Sequence, residues 1–142
     1  MIRIFLDSSV LFSAAYSSRG RARELILRAA RGELTLVVSD LVLEETRRNL
    51  AENAPHSLPY LHRVIETVSF ELIRPTKREV LEAAKIVVLK DAAILAAAKK
   101  AEVDFLVTLD RKHLLGKPEL EQFAGAPIVS PKEALERITP TI

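Results

Sequence analysis

Three observations predict an α/β fold, three-layer α/β/α around a central, mostly parallel five-stranded sheet. Short apolar runs alternate with amphipathic helical stretches along the whole chain, the order that covers both faces of a parallel sheet with helices. The runs at Ile2–Leu6 and Asp104–Leu109 are apolar almost throughout rather than alternating, as strands buried on both faces are. Each stops on an aspartate, Asp7 and Asp110. Ligands of open α/β sheets bind outside the carboxyl ends of the strands, so these two carboxylates read as a site before they read as surface charge.

The elements follow in order. After Asp7, the stretch Ser8–Ser13 starts a helix, because serine is a good N-cap and apolar residues follow at once. Tyr16–Gly20 reads as a loop. Over Arg21–Arg31 the apolar residues Ala22, Leu25, Ile26 and Ala29 fall at helical spacing, and Gly32 supplies the stop. Leu34–Val38 is the second strand, after which Ser39-Asp40 caps a helix over Leu41–Glu52. Pro55 and Pro59 interrupt the pattern, and a helix over Leu58–Val68 carries Leu61, Val64, Ile65 and Val68 on one side. Phe70–Ile73 is the third strand, ended by Arg74-Pro75. Helices over Lys77–Val87 and Asp91–Ala101 precede the strand that closes on Asp110. A short helix at Glu119–Phe123, a strand at Pro127–Val129 and a helix over Pro131–Ile138 complete the pattern.

Length and composition narrow the class. The 142 residues suit a single domain, 1–142, large enough to bury its own core. The chain has no cysteine, which excludes a disulfide framework and a thiolate metal site and fits a reducing cytoplasm. No apolar run approaches a membrane span and the N-terminus opens on strand-like residues, so the expectation is a cytoplasmic protein without a membrane partner. With 21 basic and 19 acidic residues the net charge is only +2, so a nucleic-acid function must come from how charges are placed.

Carboxylates recur where a sheet-edge site needs them. Asp7 and Asp110 end strands, Glu45 lies one helical turn past Leu41, and Asp91 opens the helix before the Asp110 strand. A hard divalent cation, Mg²⁺ or Mn²⁺, is the physical reason to gather them, because it prefers oxygen ligands and commonly binds through a few carboxylates plus substrate phosphates. Such an ion lowers the pKa of a bound water and polarises phosphoryl oxygens, so hydrolysis of a phosphodiester follows. Each residue also has a plainer reading. Asp91 complements a helix macrodipole, Glu45 is one of many helical glutamates, and Asp110 suits a cap for a short helix at Arg111–Leu115.

The segments IFLDSSVLFSA, VVSDLVLEETRRNL and KDAAILAAAKKAEVDFLVTLDRKHL resemble those of the PIN-domain nucleases, which include the toxin ribonucleases of VapC-type toxin–antitoxin pairs. The resemblance runs from Ile2 to about Leu115. It implies an Mg²⁺- or Mn²⁺-dependent endoribonuclease whose acidic quartet falls on Asp7, Glu45, Asp91 and Asp110. Glu45 rather than Glu44 matches the family position six residues past Ser39. Ser9 matches a small polar residue that supports the first aspartate, and Thr108 the polar residue two before the last. Asp104 fits a recurrent position but starts its strand, at the opposite end from Asp110. The resemblance further implies an RNA substrate, a homodimer formed through helices in the first half of the chain, and a small antitoxin protein as partner.

Basic residues flank the acids. Arg19, Arg21 and Arg23 surround Gly20 just before a helix, where a phosphate backbone or plain solvent would suit them. Arg111, Lys112 and His113 directly follow Asp110, so they reach a substrate phosphate or are ordinary helix residues, and Lys90 stands beside Asp91. Near the expected site only Phe12, Tyr16 and Tyr60 are available for stacking, which suggests recognition of backbone and shape. Alternatives to the toxin ribonuclease are a PIN-like module that binds RNA or a partner without cutting, a housekeeping RNA-processing or DNA nuclease, and an unrelated Mg²⁺-dependent phosphatase or receiver domain. The intact quartet weighs against the first. Asp7-Ser8-Ser9 in place of an acidic pair weighs against the last.

Overall fold

The computed structural model describes residues 1–138. Its order is β1 (Arg3–Leu6), α1 (Ser8–Tyr16), α2 (Arg21–Ala30), β2 (Thr35–Ser39), α3 (Asp40–Asn53), a 3-10 turn at Pro55–Ser57, α4 (Leu58–Thr67), β3 (Glu71–Ile73), α5 (Lys77–Ala83), α6 (Leu89–Ala101), β4 (Phe105–Val107), α7 (Pro118–Ala124), β5 (Ile128–Val129) and α8 (Pro131–Ile138). The strands form one sheet in the order β3-β2-β1-β4-β5. Every pairing is parallel, with Phe5 registered against Val37 on one side and Leu106 on the other. The α/β class and the five strands are as the sequence predicts, and the sheet is parallel throughout.

Burial explains the layering. Ile4, Phe5 and Leu6 are all fully buried although successive strand residues face opposite sides, so helices must cover both faces. One group comprises α1 against α2 and α3, with α2 against α8; the other comprises α6 with α5 and α7 packed on it. Helix α6 is apolar nearly all round, with Ala92, Ile94, Leu95, Ala96, Ala97 and Ala98 buried. Its alanines let the backbone lie close to its neighbours while keeping a high helix propensity.

Several boundaries differ from the sequence reading, each for a local reason. Helix α1 is capped by Asp7 rather than by a serine, since the Asp7 carboxylate accepts from the Ser9 N–H, and it continues to Tyr16. Helix α5 starts with a capping box between Thr76 and Glu79 and ends at Ala83, not Val87. There the N–H groups of Lys85 and Ile86 bond three residues back, a tighter turn that stops the helix. Helix α6 begins at Leu89, so Asp91 lies in its first turn instead of opening it. The fourth strand ends at Val107, and Arg111–Gly116 is a hydrogen-bonded turn rather than a helix. No described helix is long and apolar enough to cross a membrane.

The order of strands sets where a site can lie. The chain goes outward from β1 to β2 and β3, then returns to β4 on the other side of β1, so β1 and β4 flank the switch point at their carboxyl ends. The amino ends of these strands are closed by Arg3. Its backbone N–H donates to Asp104 at 2.8 Å, and its guanidinium pairs with Glu71 and donates to the Ala101 carbonyl at 2.7 Å. Asp104 therefore sits at the opposite end from Asp110 and ties strands together.

Phe5 lies fully buried in the central strand. Phe5→Ala removes about 3–5 kcal/mol of folding free energy by leaving a cavity there, to be read as a lower urea midpoint with an unchanged slope.

Candidate metal centre

The carboxyl ends of β1 and β4 are joined by side chains as well as by the strand ladder. The Asp7 N–H donates to the Val107 carbonyl at 3.2 Å, and the Thr108 N–H still bonds β5 through Val129. Beyond that point the chain leaves the sheet. Leu109 N–H donates to Ser9 Oγ at 3.1 Å and Asp110 N–H to Thr108 Oγ1 at 3.0 Å. The Thr108 hydroxyl itself donates to the Asp7 carboxylate. One hydroxyl thus links the aspartate after β1 to the aspartate after β4.

The remaining acids arrive on helices. Ser39 accepts from the Val42 N–H and so sets the start of α3, which carries Glu45 to the same edge, 3.4 Å from the Ser8 hydroxyl. Glu44 faces solvent instead, paired with Arg47 at 2.7 Å, and that ion pair holds its carboxyl below the usual range. Asp91, in the first turn of α6, is buried. Asp7, Glu45, Asp91 and Asp110 together line a small cavity of about 110 Å³, with Ser8, Ser9, Lys90 and Ile94 completing its wall.

Their electrostatics are unequal. Burial pushes the Asp91 carboxyl up, and the charges of Asp110 and Asp7 push it further, against the opposing effects of His113 and Lys90. Burial would also raise Asp110, but hydrogen bonds from the His113 N–H and imidazole and from the Lys112 N–H outweigh it and hold that carboxyl below its usual range. His113 contributes two of those three contacts: its N–H lies 2.9 Å from Asp110 Oδ1 and its Nδ1 3.2 Å from Oδ2. Ligand atoms of Asp91, Asp110 and His113 all lie within 4.8 Å of one another. Without a cation these carboxylates repel, and an oxygen-rich cluster of this kind suits a hard divalent ion.

The basic residues divide. Lys112 and His113 line a second cavity, of about 480 Å³, that shares Asp91 with the first. Arg111 turns away to a different surface hollow beside Glu133 and Arg137. Arg19 and Arg21 are exposed beyond the far end of α1, roughly 13 Å from its start at the rise of an α-helix, and neither lines the acidic cavity. Arg23 serves the fold: it donates to the Ala14 carbonyl at 2.6 Å and stacks on Tyr60 at 3.5 Å. Lys85 and Lys117 join Lys112 around the larger cavity, and sequence reasoning missed both. No motif marks them, because they lie in turns far apart in the chain.

A family model described as PIN domain matches residues 3–112. The fold is similar to that of PAE2754 from Pyrobaculum aerophilum, at 21% identity over 96% of this chain and 95% of that one, with a TM-score of 0.67. It is also similar to VapBC2 from Rickettsia felis, solved bound to a DNA fragment from their promoter, at 13% identity over 91% of this chain and 98% of that one, with a TM-score of 0.65. FitAcB from Neisseria gonorrhoeae is similar at 17% identity over 91% and 98% of the two chains, with a TM-score of 0.58. No curated protein sequence matches the chain.

Because Asp91 is raised in the folded state, the native protein holds that proton more tightly than the unfolded chain, and stability falls as pH rises through the raised value. Asp91→Asn therefore increases the thermal midpoint of the protein in chelator by a few degrees at neutral pH. The gain disappears on acidification, as differential scanning fluorimetry across a pH series will show.

Proposed function

The chain belongs to the PIN domain family, and from that membership and the geometry above we propose that it is an Mg²⁺- or Mn²⁺-dependent endoribonuclease, the toxin of a toxin–antitoxin pair. The observation that carries the reading is the convergence of Asp7, Glu45, Asp91 and Asp110 on one cavity at the sheet's switch point. Capping accounts for Asp7 and Asp110 one at a time but not for their meeting Glu45 and Asp91 there, where burial raises Asp91 and the charges of Asp110 and Asp7 raise it further.

In this reading Asp7, Asp91 and Asp110 hold the cation, and Glu45 either contributes to a second ion or orients a water. A bound Mg²⁺ or Mn²⁺ supplies an acidified water and charge compensation at the phosphoryl oxygens. The chain's own residues supply position. Thr108 and Ser9 fix the Asp7 carboxylate, which accepts from the Thr108 hydroxyl and the Ser9 N–H and keeps further lone pairs for a ligand. His113 and the Lys112 N–H keep Asp110 ionised, so a negative oxygen is available without prior deprotonation. Lys112 stands beside the acids where a phosphate of the substrate would lie.

The toxin assignment rests on the resemblance of the three motif segments to VapC-type toxins and on the shared fold with VapBC2. It makes the partners an RNA substrate, a small antitoxin protein and a second copy of the chain, in the cytoplasm.

Labelled single-stranded RNA tests the activity. Cutting is expected with Mg²⁺ or Mn²⁺ and none with chelator. Asp7→Asn and Asp110→Asn each reduce it by at least about a hundredfold, and Thr108→Val by about ten- to a hundredfold through the lost positioning bond. Glu45→Gln falls with the aspartates while Glu44→Gln cuts like wild type. Undiminished cutting by both aspartate variants would sink the proposed site.

A further inference from the structure

We propose that the cavity of about 480 Å³ beside the metal centre is the seat of the nucleotide adjoining the scissile phosphate, with its base against the α5–α6 turn and its phosphates against Lys112 and Lys117. The inference rests on the ribonuclease reading above and specifies on which side of the acids the strand runs.

Four features point to this occupant. The cavity shares Asp91 with the acidic one, so anything bound in it abuts the carboxylates. One wall is the turn Ala84–Val88, where Ile86 and Val87 are half-buried and Val88 is 62% exposed, an aliphatic shelf whose apolar area the face of a base would remove from water. Its rim is cationic: Lys85, Lys112 and Lys117 come from two separate turns. Lys85 is already paired with Glu82 at 3.2 Å, whereas Lys112 and Lys117 make no ion pair among the described residues. His113 stands at the junction, in contact with Asp110 and on the cavity wall.

An apolar shelf with unpaired lysines on one side and a carboxylate cluster at one end suits a single strand of nucleic acid. The bases lie on the shelf, the phosphates follow the lysines, and the strand enters the acids at its reacting phosphate. The shortage of aromatic side chains does not oppose this, because Ile86, Val87 and Val88 provide the contact surface. An acidic peptide, by contrast, would satisfy the lysines but leave the shelf without a flat partner.

The test uses the full chain, a fluorescent oligoribonucleotide and Ca²⁺ in place of Mg²⁺, read by anisotropy over a salt series, with cleavage in Mg²⁺ measured in parallel. Lys112→Ala and Lys117→Ala are each expected to weaken RNA binding roughly fivefold and to reduce the salt slope by about one. Val87→Trp, which fills the shelf, weakens binding with no change in slope. Arg19→Ala changes neither. The Mn²⁺-induced rise in thermal midpoint stays at its wild-type value in the two lysine variants, which separates loss of the strand from loss of the ion. Unchanged binding in a Lys112→Ala/Lys117→Ala protein, while wild type binds and cuts, overturns the inference and leaves the ribonuclease reading intact. So does binding of a polyglutamate peptide that RNA fails to displace. A wild-type protein that neither binds nor cuts RNA overturns both.

Discussion

The arrangement at the sheet edge depends on one hydroxyl. Thr108 Oγ1 donates to the Asp7 carboxylate and accepts from the Asp110 N–H, so a single atom sets the spacing of the two aspartates that follow β1 and β4. Ser9 makes the reciprocal stitch, its N–H on Asp7 and its hydroxyl under the Leu109 N–H. Both bridges are neutral. They orient Asp7 and satisfy its buried oxygens without cancelling its charge, whereas an arginine or lysine in their place would neutralise the carboxylate and remove its capacity for a cation. Among the described residues no buried side-chain nitrogen or oxygen lacks a hydrogen-bond partner, so the tension at this edge is one of charge rather than of missing bonds.

That distinction separates Asp91 from its neighbours. Asp7 is held by a hydroxyl and an N–H, and Asp110 by the His113 and Lys112 groups, but Asp91 sits in the first turn of an alanine-rich helix with hydrophobic surroundings and two carboxylates facing it. The helix N-terminus offsets part of this. The remainder is a cost to the folded state, and the proposed divalent ion would relieve it by converting repulsion into coordination. Perturbed carboxyls of this kind cluster at functional sites.

Much of this was legible in the sequence because continuous apolar runs mark parallel strands and the acids close them. Leu25 and Ile26 on α2 and Leu61 and Val64 on α4 are buried as their spacing predicts, whereas Ile65, placed on the same face, is exposed. The distinction between Glu44 and Glu45 was legible only through a family position. The structure supplies its physical basis, since one glutamate faces Arg47 in solvent and the other faces Ser8. What the sequence hid were exchanges of partner. Thr108–Asp110 reads as strand, yet its N–H groups pass from the ladder to side chains one after another, and nothing local distinguishes the two. Arg23 carries the same charge as Arg19 and Arg21, but packing of α1 on α2 puts it on Tyr60 and the end of α1. The larger cavity is wholly tertiary: Lys85 and Lys117 meet only because α5 folds back on α6 and the turn after Asp110 closes beside them.

A net charge of +2 looked uninformative for a nucleic-acid protein. Its distribution is not. Elsewhere several acids are matched locally: Glu24 with Arg28, Glu71 with Arg3, Asp40 with Arg74, Glu79 with Lys100 and Glu133 with Arg137. Exposed pairs of this kind add little stability, and their main effect is to remove those charges from the distant field. At the switch point Asp7, Glu45 and Asp91 gather in one cavity, and Lys112 and Lys117 line the cavity beside it. Opposite signs held apart across a few residues, rather than an excess of one sign, would draw both a cation and a polyanion to the same edge. Since a Debye length in physiological salt is about 8 Å, only that local arrangement, and not the sum over the chain, is felt by a phosphate backbone approaching the site.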